Sequence, residues 1–207
     1  MATSIEKWKS VIQNPQVVRF FDNLFDRVGV RIKDTGESFT CIHRGDRIDF
    51  EPTLDESRVD YVVEIQSSQV DRLAAEASKG GLDEAEQYRV MKELFTPATA
   101  ATLRNPLLSG SLPRLFTGAE DVIHVTLKSP VAGEPDVTHT IRFNQGRWEV
   151  TPGLQGTAKR SYTLSLAEAL QYQRHVFAAL KADNLIQWLR FGLWYRSWRK
   201  AVSSKVG

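Results

Sequence analysis

The chain has 207 residues, 42% of them hydrophobic and 25% charged, with a formal net charge of +2, the average of a soluble globular protein with room for one large domain or two small ones. Its single cysteine, Cys41, excludes an internal disulfide and fits a reducing compartment. No stretch approaches the ~18 uninterrupted apolar residues of a membrane span, and the opening residues lack the apolar core of a secretion signal, so a cytoplasmic location is the expectation.

Asn14 and Pro15 open an amphipathic helix in which Val17, Val18, Phe20, Phe21, Leu24, Phe25 and Val28 recur at helical spacing, with Asn14 as N-cap and Gly29 as terminator. Residues 38–43 and 47–51 alternate around the turn Arg44-Gly45-Asp46, the sequence form of a hairpin. Residues 59–66 make the strongest strand, with Tyr61, Val63 and Ile65 on one face. Ser67 or Ser68 then caps a helix carrying Val70, Leu73, Ala74 and Ala77 that Gly80-Gly81 stops, and a second helix covers residues 82–95. Residues 98–117 hold Leu103, Leu107, Leu108, Leu112, Leu115 and Phe116 but are cut by Pro106, Gly110 and Pro113, so they read as short helical turns packed over something, as a lid would be. Strands over 122–127 and 137–143 follow, joined by an open loop, and helices over 165–182 and 184–202 close the chain.

Two stretches about a hundred residues apart share an order of residues. One runs from Cys41 to Pro52, then Leu54 and Tyr61; the other from Ile141 to Pro152, then Leu154 and Tyr162, and each leads into a helix. Such self-similarity points to a fold assembled from two like units, here one sheet built from two hairpin-strand-helix halves.

Catalytic motifs are missing. There is no phosphate-cradling Gly-rich loop, no Cys-x-x-Cys, no His-Glu-x-x-His and no Gly-x-Ser-x-Gly. His124 and His139 could tempt a metal reading, but pairing Ile123 with Ile141 and Leu127 with Val137 keeps the apolar face whole. That register sets Val125 opposite His139 and His124 opposite Thr140, so the two imidazoles fall on opposite faces. Cys41 has no base partner and reads as a small buried apolar residue, and Asp46, Asp49 and Glu51 read as solvated hairpin carboxylates. Neither a metal nor a cofactor is expected.

The last segment has the most chemical character. After Asp183 there is no acid, while Arg190, Arg196, Arg199, Lys200 and Lys205 follow, among Trp188, Phe191, Trp194, Tyr195 and Trp198. On a helix, Leu185, Trp188, Leu189 and Gly192 share one stripe and Phe191, Trp194, Tyr195 and Trp198 an adjoining one. Residues 184–207 therefore admit two readings. Tryptophans beside arginines suit the lipid-water boundary, and a wide apolar face with a basic end suits a core helix whose cations complement its dipole. Nucleic acid is not expected, since the rest of the chain is net acidic and would repel phosphate.

The order of these elements, with the strand Tyr61-Val62-Val63-Glu64-Ile65 running straight into the helix at Ser68, resembles the sterol carrier protein 2 (SCP2)-like family over residues 15–150. The family's Gly-rich stretch is represented only by Leu108-Ser109-Gly110, and the strand-helix-helix unit after Arg147 is extra. The resemblance implies a single α+β domain over residues 1–207, with a mostly antiparallel sheet of five or more strands covered by helices around an elongated apolar tunnel for a fatty or isoprenoid chain. Phe20, Phe21, Leu24, Tyr61, Val63 and Ile65 would form the sheet-side wall, and Leu103, Leu107, Leu108, Leu112, Leu115 and Phe116 the mobile one. The function expected is binding or carrying a hydrophobic molecule (a lipid, sterol or isoprenoid) without transforming it, with membrane contact through the C-terminal segment. The alternatives are a protein-interaction or self-association module, for instance a homodimer, and a small-pocket enzyme of cyclase or isomerase type.

Overall fold

The computed structural model describes residues 3–94, 96–102, 120–144, 147–182 and 185–203. It is α+β, and the chain divides into two compact units, Met1–Arg104 and Asn105–Gly207.

Unit 1 begins with α1 (Ser4–Ile12), which the sequence reading missed. Its start is a reciprocal cap: the Glu6 amide donates to Thr3 Oγ1 at 3.2 Å and the Thr3 amide to Glu6 Oε2 at 2.8 Å. The buried face is Trp8, Val11 and Ile12. In α2 (Pro15–Phe20), Asn14 is the N-cap as expected, accepting from the Gln16 and Val17 amides. The helix does not reach Gly29, however. The chain turns through Asn23, at φ 55°, and becomes extended, so Val28 and Gly29 lie inside strand β1 (Arg27–Ile32). The apolar residues from Leu24 to Val28 fit helical spacing by coincidence of a turn and a strand.

β2 (Ser38–His43) and β3 (Ile48–Glu51) are the expected hairpin, and β4 (Tyr61–Ile65) the expected strand. The order is β3-β2-β1-β4, with β4 parallel to β1 and the other pairs antiparallel. The alternation Val28, Val30, Ile32, the pair Phe39 and Cys41, and Tyr61, Val63, Ile65 put one buried apolar face on this sheet. α3 (Ser67–Ser78), α4 (Glu84–Leu94) and α5 (Pro97–Thr102) follow. Gly80 and Gly81, at φ 122° and 131°, end α3 where the sequence puts its stop. At the free edge of β4 the Val62 amide donates to Thr102 Oγ1 at 2.9 Å, which answers one unpaired edge group.

Unit 2 repeats the sheet with β5 (Asp121–Leu127), β6 (Val137–Asn144), β7 (Arg147–Pro152) and β8 (Arg160–Leu164), in the order β7-β6-β5-β8. Again one pair, β5 and β8, is parallel. The repetition extends to single bonds. Thr40 Oγ1 donates to Thr53 O and Thr140 Oγ1 to Gly153 O, both at 2.8 Å. The Lys33 amide donates to Ile65 O and the Lys128 amide to Leu164 O, at 2.9 and 2.8 Å. The Asp60 amide donates to Arg27 O and the Lys159 amide to Val122 O, at 2.8 and 2.9 Å.

These pairs correct the alignment read from sequence. Thr40 corresponds to Thr140, Val28 (opposite Cys41) to Ile123 (opposite Ile141), and hence Tyr61 to Arg160 and Val63 to Tyr162. The two tyrosines that matched by eye are two positions out of register. The expectation of one sheet with five or more strands, mostly antiparallel, also gives way: each unit closes its own four-stranded mixed sheet, because in each the strand after the hairpin pairs parallel with that unit's first strand. For β5 and β6 the register is the one inferred from apolar alternation, with Val125 opposite His139 and His124 opposite Thr140.

α6 (Leu166–Ala182) and α7 (Leu185–Ser203) complete unit 2. Ser165 caps α6 as Thr3 caps α1, its amide donating to Glu168 Oε2 at 2.8 Å. The unit's core gathers Tyr162, Leu164, Trp198 and Val202, with Ile123, Val125, Tyr172, Trp194 and Tyr195 packed against them.

Candidate functional site

In unit 1 the sheet face and the helices do not close completely. A cavity of about 20 Å³ remains, lined entirely by apolar surface. Trp8 and Ile12 of α1, Phe21 and Phe25 beyond α2, and Leu94 of α4 meet Val28, Val30, Cys41, Ile48, Tyr61 and Val63 of the sheet around it. The polar atoms of the lining are turned to protein partners. Trp8 Nε1 donates to Cys41 Sγ at 3.1 Å, and the Tyr61 hydroxyl donates to Leu24 O at 3.0 Å. Burial pushes the Cys41 thiol up to about 12 and raises Tyr61 well above the ordinary phenol value, with Asp60 nearby acting in the same sense. Both groups are therefore protonated at neutral pH, and the lining contains no carboxylate and no imidazole.

Of the expected sheet-side wall, Phe21, Tyr61 and Val63 line this cavity, while Phe20, Leu24 and Ile65 are buried in the surrounding core. Leu103, Leu107, Leu108, Leu112, Leu115 and Phe116 lie outside the described residues. Trp8, Ile12, Phe25, Val28, Val30, Cys41, Ile48 and Leu94 were missed. The signal for α1 was present in Thr3-x-x-Glu6 followed by Trp8, Val11 and Ile12 at helical spacing.

The C-terminal helix separates its two stripes. Phe191, Trp194, Tyr195 and Trp198 turn onto Tyr172 of α6, with ring centroids 4.9 to 6.4 Å away. His175 stacks on Trp194 at 3.9 Å, and the Tyr162 and Tyr195 hydroxyls are 3.2 Å apart. Burial and that hydroxyl neighbour raise Tyr195 above its ordinary value. Among the described residues, Trp198 Nε1 and Gln173 Oε1 are buried without a hydrogen-bond partner. Arg190, Arg196, Arg199 and Lys200 are exposed. So are Ile186, Leu189 and Leu193, at 64, 61 and 70%. The side chain of Trp188 lies outside the described set.

Among the described residues no cluster of three metal-ligating side chains occurs, and no helix is long and apolar enough to cross a membrane. His124 and His139 stand on opposite faces of β5-β6, as their register requires; burial lowers His139 below the ordinary imidazole value. A scan against known family models, a search of curated proteins and a search of solved structures each returned no match.

Proposed function

We propose that the chain binds and carries an apolar molecule in unit 1 without transforming it. The observation that carries this reading is the all-apolar cavity between α1, the residues following α2 and the sheet. A void so lined has no polar partners to hold a water molecule, and its surfaces gain dispersion contacts when an apolar guest fills it. As it stands the cavity has room for about one water-sized body, so a hydrocarbon chain enters only as α1 and α2 move off the sheet. Their lengths favour this: nine and six residues are too short to be stable helices alone, so packing against the rest of the unit holds them.

The SCP2-like resemblance supports the same class of ligand, a fatty or isoprenoid chain. Protonated Cys41 and Tyr61, each already engaged with a protein atom, favour carriage over chemistry, because neither is available as a base or nucleophile. The test is native mass spectrometry of the chain purified under mild conditions and then incubated with fatty acids of increasing length. The expected result is a one-to-one adduct that a cavity-filling Val63→Phe substitution abolishes while the fold is kept. An adduct-free protein with every chain length, or adducts that Val63→Phe leaves untouched, would overturn the reading.

A further inference from the structure

α7 has two apolar sides, and the fold uses one of them. Successive helical residues advance by about 100°, which puts Phe191, Trp194, Trp198 and Val202 on the side packed into unit 2. Ile186, Leu189 and Leu193 come out on the opposite side with Arg190, Arg196 and Lys200, and all six are exposed. An isolated exposed leucine is ordinary. Three consecutive large aliphatic residues on one helix line, each more than half exposed, form a patch the fold does not need.

We infer that this outer side of α7 docks on an anionic lipid bilayer surface. The charge around the stripe selects that occupant. α7 contains no acidic residue, and none of Arg190, Arg196, Arg199 and Lys200 forms an ion pair among the described residues. A helix lying in the interfacial plane buries short aliphatic side chains at the headgroup boundary, while arginine and lysine extend their stems along that apolar surface and keep their charge among the phosphates. A second copy of the chain suits the stripe poorly, because pairing two α7 faces would set Arg190, Arg196 and Lys200 against the like charges of their twins. Trp194 and Trp198, which the sequence offers as membrane anchors, are here the inner support: their packing on Tyr172 and on each other fixes which side of α7 faces out.

The inference is independent of the cavity in unit 1, and its test does not involve an apolar guest. The 207-residue chain is floated with phosphatidylcholine vesicles and with vesicles in which roughly a third of the lipid is phosphatidylserine. Binding to the second kind only is expected, with loss in salt of about 0.5 M as the charges are screened. Replacing Arg190, Arg196 and Lys200 together by Gln is expected to weaken binding about a hundredfold, at roughly fivefold per cation. Ile186→Gln with Leu189→Gln and Leu193→Gln is expected to weaken it at least tenfold while near-ultraviolet circular dichroism of the buried aromatics is unchanged. No flotation, equal flotation on neutral vesicles, or wild-type flotation of the aliphatic triple variant would each overturn the inference. So would a dimer in sedimentation that the same triple variant dissociates, since the stripe would then belong to a second copy. Fatty-acid uptake measured by native mass spectrometry should be the same in both triple variants, which separates failure here from failure of the carrier reading.

Discussion

The two units share a sheet plan and several of its hydrogen bonds, and differ in what holds their helices. In unit 1 the helix pair after the sheet is joined by charge. Arg72 of α3 reaches Glu86 at 2.6 Å and Glu93 at 2.6 and 2.8 Å, and Glu86 is only 3% exposed. These carboxylates raise Arg72 above its ordinary value, Glu93 most of all. In unit 2 the corresponding pair, α6 and α7, is joined by rings, with Tyr172 at the centre of Phe191, Trp194, Tyr195 and Trp198. One strand topology thus accepts either solution, because the sheet register is set by backbone pairing and by alternation, and the outer layer has only to cover the apolar face.

The largest effect that could break this comparison comes from removing one main member of each solution. Trp198→Ala is expected to cost unit 2 about 4 kcal/mol, as a large buried ring is lost. Arg72→Met is expected to cost unit 1 about 3 kcal/mol, because Glu86 stays buried with its main partner gone. Amide hydrogen exchange in α6 and α7 against α3 and α4 reads the two losses separately. If Arg72→Met were neutral, the charged network would not be what joins α3 to α4.

The next effect concerns a position where the units differ in chemistry, Cys41 in unit 1 and Ile141 in unit 2. Burial raises the thiol to about 12, against an ordinary value near 9. A buried acid whose folded value is raised favours its protonated form, so the stability it contributes is present below about 9 and is lost as pH climbs from there towards 12. At pH 8 the folded thiol is expected to react with an aqueous disulfide reagent at least about a hundredfold more slowly than the unfolded chain does. Fast reaction would mean that the core of unit 1 opens to water readily.

Much of this plan is legible in the sequence, for a physical reason. The hairpin at residues 38–51, the strand through Tyr61 and the register of β5 on β6 all come from period-two alternation, which a strand with one buried face must keep. The repeated plan is legible for the same reason, though its register after the hairpin is not, since Tyr61 and Tyr162 match as letters while strand pairing makes Arg160, opposite Ile123, the counterpart of Tyr61, opposite Val28. β1 is hidden because Leu24, Phe25 and Val28 continue the spacing of α2 across a turn. The orientation of α7 cannot be read from its pattern, since both of its sides are apolar. Three of the six sheet-side residues named for the ligand line the cavity. The others are core, and a string of letters does not distinguish a wall from a filling.

A smaller effect sharpens the comparison at the matched threonines. Thr40 Oγ1 makes one bond, to Thr53 O, whereas Thr140 Oγ1 donates to Gly153 O and accepts from the Gln155 amide, both at 2.8 Å. Thr40→Val is expected to cost about 1 kcal/mol and Thr140→Val about 2 kcal/mol in urea unfolding. Equal costs would show that the Gln155 bond is replaced by water.

The smallest expected effect is at Gly29, whose counterpart in unit 2 is His124. A Cβ on Gly29 would lie 2.5 Å from Leu54 Cδ1, and Leu54 packs over the strand at that point. In unit 2 that strand position carries His124, and Leu154 is 53% exposed. Gly29→Ala is expected to push Leu54 outward, as Leu154 already is, at a cost of about 1 kcal/mol. Combining it with Leu54→Ala should add little, since both remove the same contact. Full additivity would separate the two residues.

The central claim, that unit 1 receives an apolar guest between α1 and its sheet, is tested most directly by methyl NMR during a titration with decanoic acid. Saturable shifts are expected at Ile12, Val28, Val30 and Val63, methyl-bearing residues around the cavity. Unmoved unit 1 methyls at saturating acid, or the same shifts in Val63→Phe, would contradict it.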